Sequence, residues 1–406
     1  MSKRILFLSN GHGEDLNASL VLQALREIAP DVETAAMPIV GEGNAYRKLE
    51  VPIVGPTQKL PSGGFNYIVV GRLLNPMNWA RDTNPLNFLR DLSAGLVGLT
   101  WRQIQAVRGY SQRCDLLFAT GDIVPILFAY MTGKPFMAFL VSTSSYYEGR
   151  AVVPMLAMMA LRSHRCRQIF TRDAFTAQDL QRRGLSKTVF AGYPIMDVLK
   201  PTGKDLKRVP EQPMIALLPG SRLPEALHNL GLQLQLCEAI AQKQAAQFQA
   251  ALVPSITDDH LQNLAHQQGW SWEQAGHLVK GETHVFCHRD AFADILQQCS
   301  LAIGMAGTAV EQAVGLGKPV VQIIGLGPQF TYPFAEAQMR LLGPSVVTVG
   351  RRSATPELIT EAADKVISIL NDPHYPAQCL RNGKERVGEP GGSTQIAQYL
   401  ADCTQA

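Results

Sequence analysis

The sequence predicts an α/β protein of two doubly wound domains, each a parallel sheet flanked by helices. Two observations predict it. Apolar runs of strand length recur along the chain, each followed by a turn and a helix-period segment, which is the pattern of βαβ units. The recurrence pauses once, at a polar stretch rich in proline and lysine, and then restarts. The first series comprises residues 5–8, 116–119, 136–141, 168–171 and 189–191; the second comprises 214–218, 249–253, 285–287, 301–303, 320–324 and 346–349. The expected organisation is a first domain over 1–198, a linker over 199–213, a second domain over 214–390 and a closing helix over 391–406, begun by Gly391-Gly392-Ser393. The length agrees, since 406 residues exceed the size at which one core keeps growing.

Composition narrows the function. Charged residues make up 17% of the chain, below the roughly 25% of ordinary globular proteins. The net charge of +3, without a basic tail, argues against nucleic-acid binding. Seven cysteines, an odd number without a CxxC pair, fit a reducing compartment. The start, MSKRILFLSNGHGED, turns polar after four apolar residues and reads as a strand rather than a signal peptide. The longest apolar stretch, 126–141, is interrupted by Gly133-Lys134-Pro135 and is too short to span a bilayer. A cytoplasmic protein without a transmembrane segment is expected.

Two segments depart from the regular pattern. Residues 65–113 hold six arginines and two aspartates, with Trp79 and Trp101 among apolar neighbours, and residues 150–183 hold seven arginines and two aspartates around the apolar run 151–161. Arginine with tryptophan and leucine suits an anionic membrane surface. A helix pair with a solvated basic face explains the same composition, and both readings stand.

Four stretches carry candidate chemistry. Ser9-Asn10-Gly11-His12-Gly13-Glu14-Asp15 follows the first strand, where Gly11 and Gly13 suit a tight turn that exposes backbone N–H groups at a helix start. Its glutamate and aspartate are expected to point into the cleft; a capped βα turn is the alternative. Pro219-Gly220-Ser221-Arg222-Leu223-Pro224-Glu225 follows the strand opening the second domain, so Arg222 is placed to hold a diphosphate. Gly307-Thr308-Ala309-Val310-Glu311 follows another strand and opens a helix whose N-terminus suits phosphate, with Glu311 placed for ribose hydroxyls. Gln329, after a further strand, lies in a cleft-lining loop, as a donor contact or as plain loop. His284, Cys287 and His288 share one probable strand without a fourth ligand nearby, so no metal site is expected.

These stretches resemble lipid-A-disaccharide synthase, discontinuously but over most of the chain. Leu217 to Glu225 matches that family's LLPGSRxxE motif. Phe190-Ala191-Gly192-Tyr193-Pro194-Ile195-Met196-Asp197 resembles its segment closing the first domain, and Val141-Ser142-Thr143-Ser144-Ser145-Tyr146-Tyr147 its serine and aromatic loop. Gly307 to Glu311 is one residue shorter than the family form and closer to the UDP-sugar enzymes that build the peptidoglycan lipid precursor. The resemblance implies the GT-B fold, two Rossmann-like domains with a cleft between them, the first on the acceptor side and the second binding a nucleotide-sugar. It also implies no cofactor and no metal. The family's general base falls at Thr120-Gly121-Asp122, where this chain has one carboxylate and the family motif two, so Asp122 is the candidate base and Asp15 the second; an N-cap role is the alternative for Asp122.

The reading is inverting transfer from a UDP-sugar to a lipid-linked or amphipathic acceptor. Donor-side candidates are Gly11, Gly13, Gly220, Ser221, Arg222, Glu225, Gly307, Thr308, Ala309, Glu311 and Gln329. A UDP-sugar 2-epimerase and a non-catalytic binding protein remain as alternatives. The sugar, the acceptor and the oligomeric state stay open.

Overall fold

The computed structural model describes residues 3–58, 92–273, 276–327 and 330–405. They fall into two compact units, Met1–Asp197 with Pro390–Ala406, and Val198–Glu389.

The first unit is built on β1 (Arg4–Ser9), β2 (Glu33–Pro38), β3 (Leu116–Thr120), β4 (Phe136–Leu140), β5 (Cys166–Thr171) and β6 (Thr188–Val189). All pair in parallel, in the order β2-β1-β3-β4-β5-β6. β1, β3 and β4 are buried almost throughout, as expected of a parallel sheet covered on both faces. On one face Phe7, Phe118 and Phe170 meet edge to face, and Phe170 in turn meets Tyr399 of the helix Gly392–Gln405. On the other, Leu6, Leu8, Leu117 and Ala119 pack under the helices Leu96–Ser111, Ile123–Met131 and Met155–Arg162. Outside β2, Ile53 bridges Ala36 in parallel and takes the place of a further edge strand. With it the order becomes 3-2-1-4-5-6-7, the 3-2-1-4-5-6 of a dinucleotide-binding sheet extended by the short β6.

The closing helix returns to this first unit and lies along the helix His12–Ile28. Its start is held by Asp197, whose carboxylate accepts from Gly391 N and Ser393 N. A Cβ on Gly392 would lie 2.6 Å from the Gly192 carbonyl carbon, so the two chain segments touch backbone to backbone. The segment from Phe190 to Asp197 thereby seats the last helix.

The second unit holds β7 (Met214–Leu218), β8 (Gln247–Ala251), β9 (Ser271–Glu273), β10 (His277–Lys280), β11 (Thr283–His288), β12 (Leu301–Gly304), β13 (Val320–Ile323) and β14 (Val346–Val349). Its order is β14-β13-β12-β7-β8-β11-β10-β9. The six parallel strands again run 3-2-1-4-5-6, and the antiparallel β10 and β9 extend the edge beyond β11.

Three details differ from the sequence pattern. β2, β9 and β10 carry no strand-length apolar run; β2 reads Glu-Thr-Ala-Ala-Met-Pro and the edge pair is short. β8 begins two residues before the apolar run at 249–253. The stretch 199–213 lies within the second unit: Leu199 and Leu206 are buried, and Asp294 accepts from the backbone N–H groups of Thr202, Gly203 and Lys204. A single buried acceptor, distant in sequence, orders a stretch whose composition reads as linker.

Candidate functional site

In an open parallel sheet, ligands bind beyond the carboxyl ends of the two neighbouring strands whose connections leave in opposite directions. In the first unit these are β1 and β3. β1 ends in Ser9 and Asn10, β3 in Thr120, Gly121 and Asp122, and Asn10 Nδ2 donates across the gap to Asp122 Oδ1 at 2.7 Å. Asp122 also caps the helix Ile123–Met131, accepting from Val124 N at 3.0 Å. The capping role and the place in the crevice are therefore combined in one side chain. Burial pushes its carboxyl up to about 6, helped by the charge of Glu14 and opposed by the hydrogen bonds from Val124 and Asn10.

Gly121 has to be glycine. Its φ is +136°, and a Cβ there would lie 2.1 Å from Asn10 Oδ1 and 3.3 Å from Glu14 Cγ. Glu14 stands half-buried on the first turn of His12–Ile28, and Ser142 Oγ, just beyond β4, donates to its Oε1 at 2.6 Å. Gly11 caps that helix without a side-chain bond, and a Cβ on it would meet Glu14 Oε2 at 2.5 Å; a Cβ on Gly13 would meet nothing within 4 Å.

Asp15 corrects an expectation. Only 2% exposed, it turns into the unit rather than outward, with Ser9 Oγ donating to its Oδ1 at 2.6 Å and the Tyr46 hydroxyl 2.6 Å from the same Ser9 oxygen. Burial, with the nearby Glu14 charge adding to it, pushes its carboxyl up to about 7. Neighbouring helical positions are about 100° apart, so one carboxylate of the Glu14-Asp15 pair faces the crevice and the other the interior.

In the second unit the corresponding strands are β7 and β12. Met305 N donates to Leu218 O at 2.8 Å, and a Cβ on Gly220, whose φ is +105°, would lie 3.2 Å from Met305 O. The two loops thus meet through backbone. Ser221 and Arg222 are exposed, and a cis Leu223–Pro224 peptide leads into the helix Glu225–Ala241. Beyond β12, Gly307 stands at the N-terminus of the helix Thr308–Gly315, which no side chain caps; Thr308, Ala309 and Glu311 are half-buried in its first turn. Uncapped N–H groups and the helix dipole suit an anion there.

Glu225 faces inward at 6% exposure and accepts from Phe330 N at 3.1 Å, and a Cβ on Gly327 would lie 2.3 Å from its Oε1. It supports the loop after β13 instead of lining a ligand surface. Gln329 lies outside the described residues. Sequence reading missed the amides that fix these turns: Gln338 Nε2 donates to Ala306 O and Gly307 O, Gln322 donates to Gln338, and Asn229 donates to Pro219 O. It also missed Asn10. Lone amides carry no spacing signal, although Asn10 directly follows β1 and precedes Gly11.

No family model matches the chain. In sequence it is similar to lipid-A-disaccharide synthases: 27% identical to that of Geobacter sulfurreducens over 232 residues, 52% of this chain and 56% of the relative. Against that of Solibacter usitatus it is 23% identical over 99% of this chain and 94% of the relative. The chain thus spans little more than half the length of the first of these relatives and nearly all of the second. Among solved structures it resembles CalG4, the calicheamicin glycosyltransferase (TM-score 0.63, 14% identity, 100% and 99% of the two chains). It also resembles the UDP-GlcNAc 2-epimerase from Neisseria meningitidis bound to UDP-GlcNAc (TM-score 0.54, 13% identity, 98% and 100%). The fold class is therefore GT-B, shared by glycosyltransferases and by these epimerases. Within it, the sequence is lipid-A-disaccharide-synthase-like.

Proposed function

We propose that the protein is an inverting glycosyltransferase that moves a sugar from a UDP donor to a hydroxyl of a lipid-linked or amphipathic acceptor. The observation that carries this reading is Asp122, a carboxylate at the first unit's strand-end crevice whose pKa near neutrality suits a general base. The names of the sequence relatives support transfer to a lipid acceptor, and a structural neighbour bound to UDP-GlcNAc supports the donor class.

In this reading the acceptor oxygen attacks the anomeric carbon, its proton passes to Asp122, and the bond to the diphosphate breaks with its electron pair leaving on UDP. Arg222 and the N-terminus of Thr308–Gly315 stabilise the charge that develops there. Gly220, Ser221, Thr308 and Ala309 line the diphosphate, and Glu311 holds the ribose. These groups do the work of a metal, so transfer continues in EDTA.

The test is purified protein with UDP-sugars and extracted membrane lipids, following UDP release and lipid mass. UDP released only with lipid, and lipid heavier by one sugar, is the expected result. Conversion of the UDP-sugar without acceptor and without UDP release identifies a 2-epimerase, the class its fold also admits; no turnover of any UDP-sugar identifies a binding protein.

The acceptor reading extends to a membrane surface on the cytoplasmic side. Val97 and Trp101, four residues apart on Leu96–Ser111, are 67% and 61% exposed, and Met155 and Met159 on Met155–Arg162 are 82% and 51% exposed. Arg102, Arg108 and Arg150 are exposed in the same unit, and these helices pack with Ile123–Met131 on one face of its sheet. Exposed apolar side chains beside arginine suit the headgroup level. Trp79 and the rest of 59–91 lie outside the described residues. Among those described, no helix is long and apolar enough to cross a membrane. Flotation with anionic vesicles should be strong at low salt and lost at high salt; failure to float at both salts removes the membrane surface.

A further inference from the structure

Asp122 is the only carboxylate in the loop after β3, yet the fold brings a second one to it. Glu14 comes from the first turn of the helix that follows β1 and is held by the Ser142 hydroxyl from beyond β4, so three strand ends converge on one crevice. Because Gly121 has no side chain, Glu14 and Asn10 reach the backbone beside Asp122. Asn10 is 8% exposed; its Nδ2 donates to Asp122, while its own Oδ1 is buried without a hydrogen-bond partner. The bonds from Asn10 and Val124 both go to Asp122 Oδ1, which leaves Oδ2 to meet a substrate proton.

We propose that Asn10 and Glu14 are positioning residues that tune Asp122 in opposite directions, Asn10 fixing its Oδ1 and favouring the carboxylate, Glu14 opposing its ionisation. The inference rests on the reading of Asp122 as the general base and deepens it.

The groups facing Asp122 can be followed element by element. The His12–Ile28 helix presents Glu14 and, turned inward behind it, Asp15; the loop beyond β4 presents Ser142, which is uncharged; its own helix presents the Val124 N–H and the positive end of the helix dipole. The side-chain charge that acts on Asp122 is that of Glu14, which raises its pKa, and the Asn10 hydrogen bond lowers it. Like charge disfavours ionisation and a donor to the carboxylate favours it. The arrangement holds the base ionised at neutral pH but still basic enough to take a hydroxyl proton in the transition state.

The test labels aspartate carboxyl carbons with 13C, assigns Asp122 by the signal lost in Asp122→Asn, and titrates wild type, Glu14→Gln and Asn10→Ala alongside the pH profile of UDP release. Glu14→Gln should move the Asp122 midpoint and the acid limb of the profile down by about half a pH unit to one, and Asn10→Ala should move both up by a similar amount. The KM for the UDP-sugar should stay unchanged in both. A purely structural role would not shift the two variants oppositely. Should Asn10→Ala fail to fold, the isosteric Glu14→Gln alone decides, since its midpoint must fall. An unmoved midpoint in folded protein overturns the inference. Midpoints that move while the UDP-release profile does not would leave the tuning in place and overturn Asp122 as the base.

Discussion

At the crevice of the first unit, β1 and β3 end in Asn10, Glu14 and Asp122; at that of the second, β7 and β12 end in Gly220, Ser221, Arg222 and the uncapped Gly307 turn. The two sheets share a 3-2-1-4-5-6 run of parallel strands and therefore offer the same crevice. Their side chains fill it differently. Two carboxylates repel a diphosphate, whereas an arginine and an uncapped helix N-terminus attract one. In the second unit Glu225, just beyond the Arg222 turn, faces inward to hold Phe330. The difference teaches that the topology places a site and a few strand-end residues choose its ion.

The largest expected effect breaks the first side of the comparison. Asp122→Asn should lose transfer by about 10²–10⁴-fold, the range for a removed general base. The substitution is nearly isosteric and keeps an acceptor oxygen for Asn10 and Val124. A normal rate in a folded variant would leave the first crevice without its base.

On the second side, Arg222→Ala should weaken UDP binding by about tenfold to a hundredfold, as for a lost charged hydrogen bond. Glu311→Ala should weaken it less, by about two- to tenfold, since ribose hydroxyls are neutral. Calorimetry with UDP reads both. Unchanged affinity in both variants would remove the donor site from the second unit.

A stability effect separates Glu14 from Asp15. Asp15 has a pKa of about 7 in the folded chain against 3.8 ordinarily. Below pH 4 both folded and unfolded chains carry the proton. Between about 4 and 7 only the folded chain keeps it, so stability falls as pH rises through this window. Asp15→Asn removes that loss: its urea midpoint should match wild type at pH 4 and exceed it at pH 8. Parallel curves would show that the Asp15 carboxyl is not buried.

Much of this was legible in the sequence, and the residues show why. Runs such as 5–8 and 301–303 announce themselves because parallel strands buried on both faces must be apolar throughout. β2 and the β9–β10 edge do not, being small-residue or short. The strand-end motifs pointed to Asp122, Arg222 and Gly307, which stand at the two crevices. Asp15 was misplaced although the signal existed: it lies three and seven residues before the buried Ala18 and Leu22, on the apolar stripe of its helix. Asn10 and Gln338 were not readable, because their role depends on Asp122 and Ala306, strand ends distant in sequence.

The proposed reaction divides the work between the two crevices, one holding the donor and the other taking the proton. Its most direct measurement is a UDP titration by calorimetry of wild type, Asp122→Asn and Arg222→Ala, each also assayed for transfer. This division of work requires that Asp122→Asn bind UDP like wild type while turnover collapses, and that Arg222→Ala lose affinity. UDP affinity lost in Asp122→Asn and kept in Arg222→Ala would contradict it.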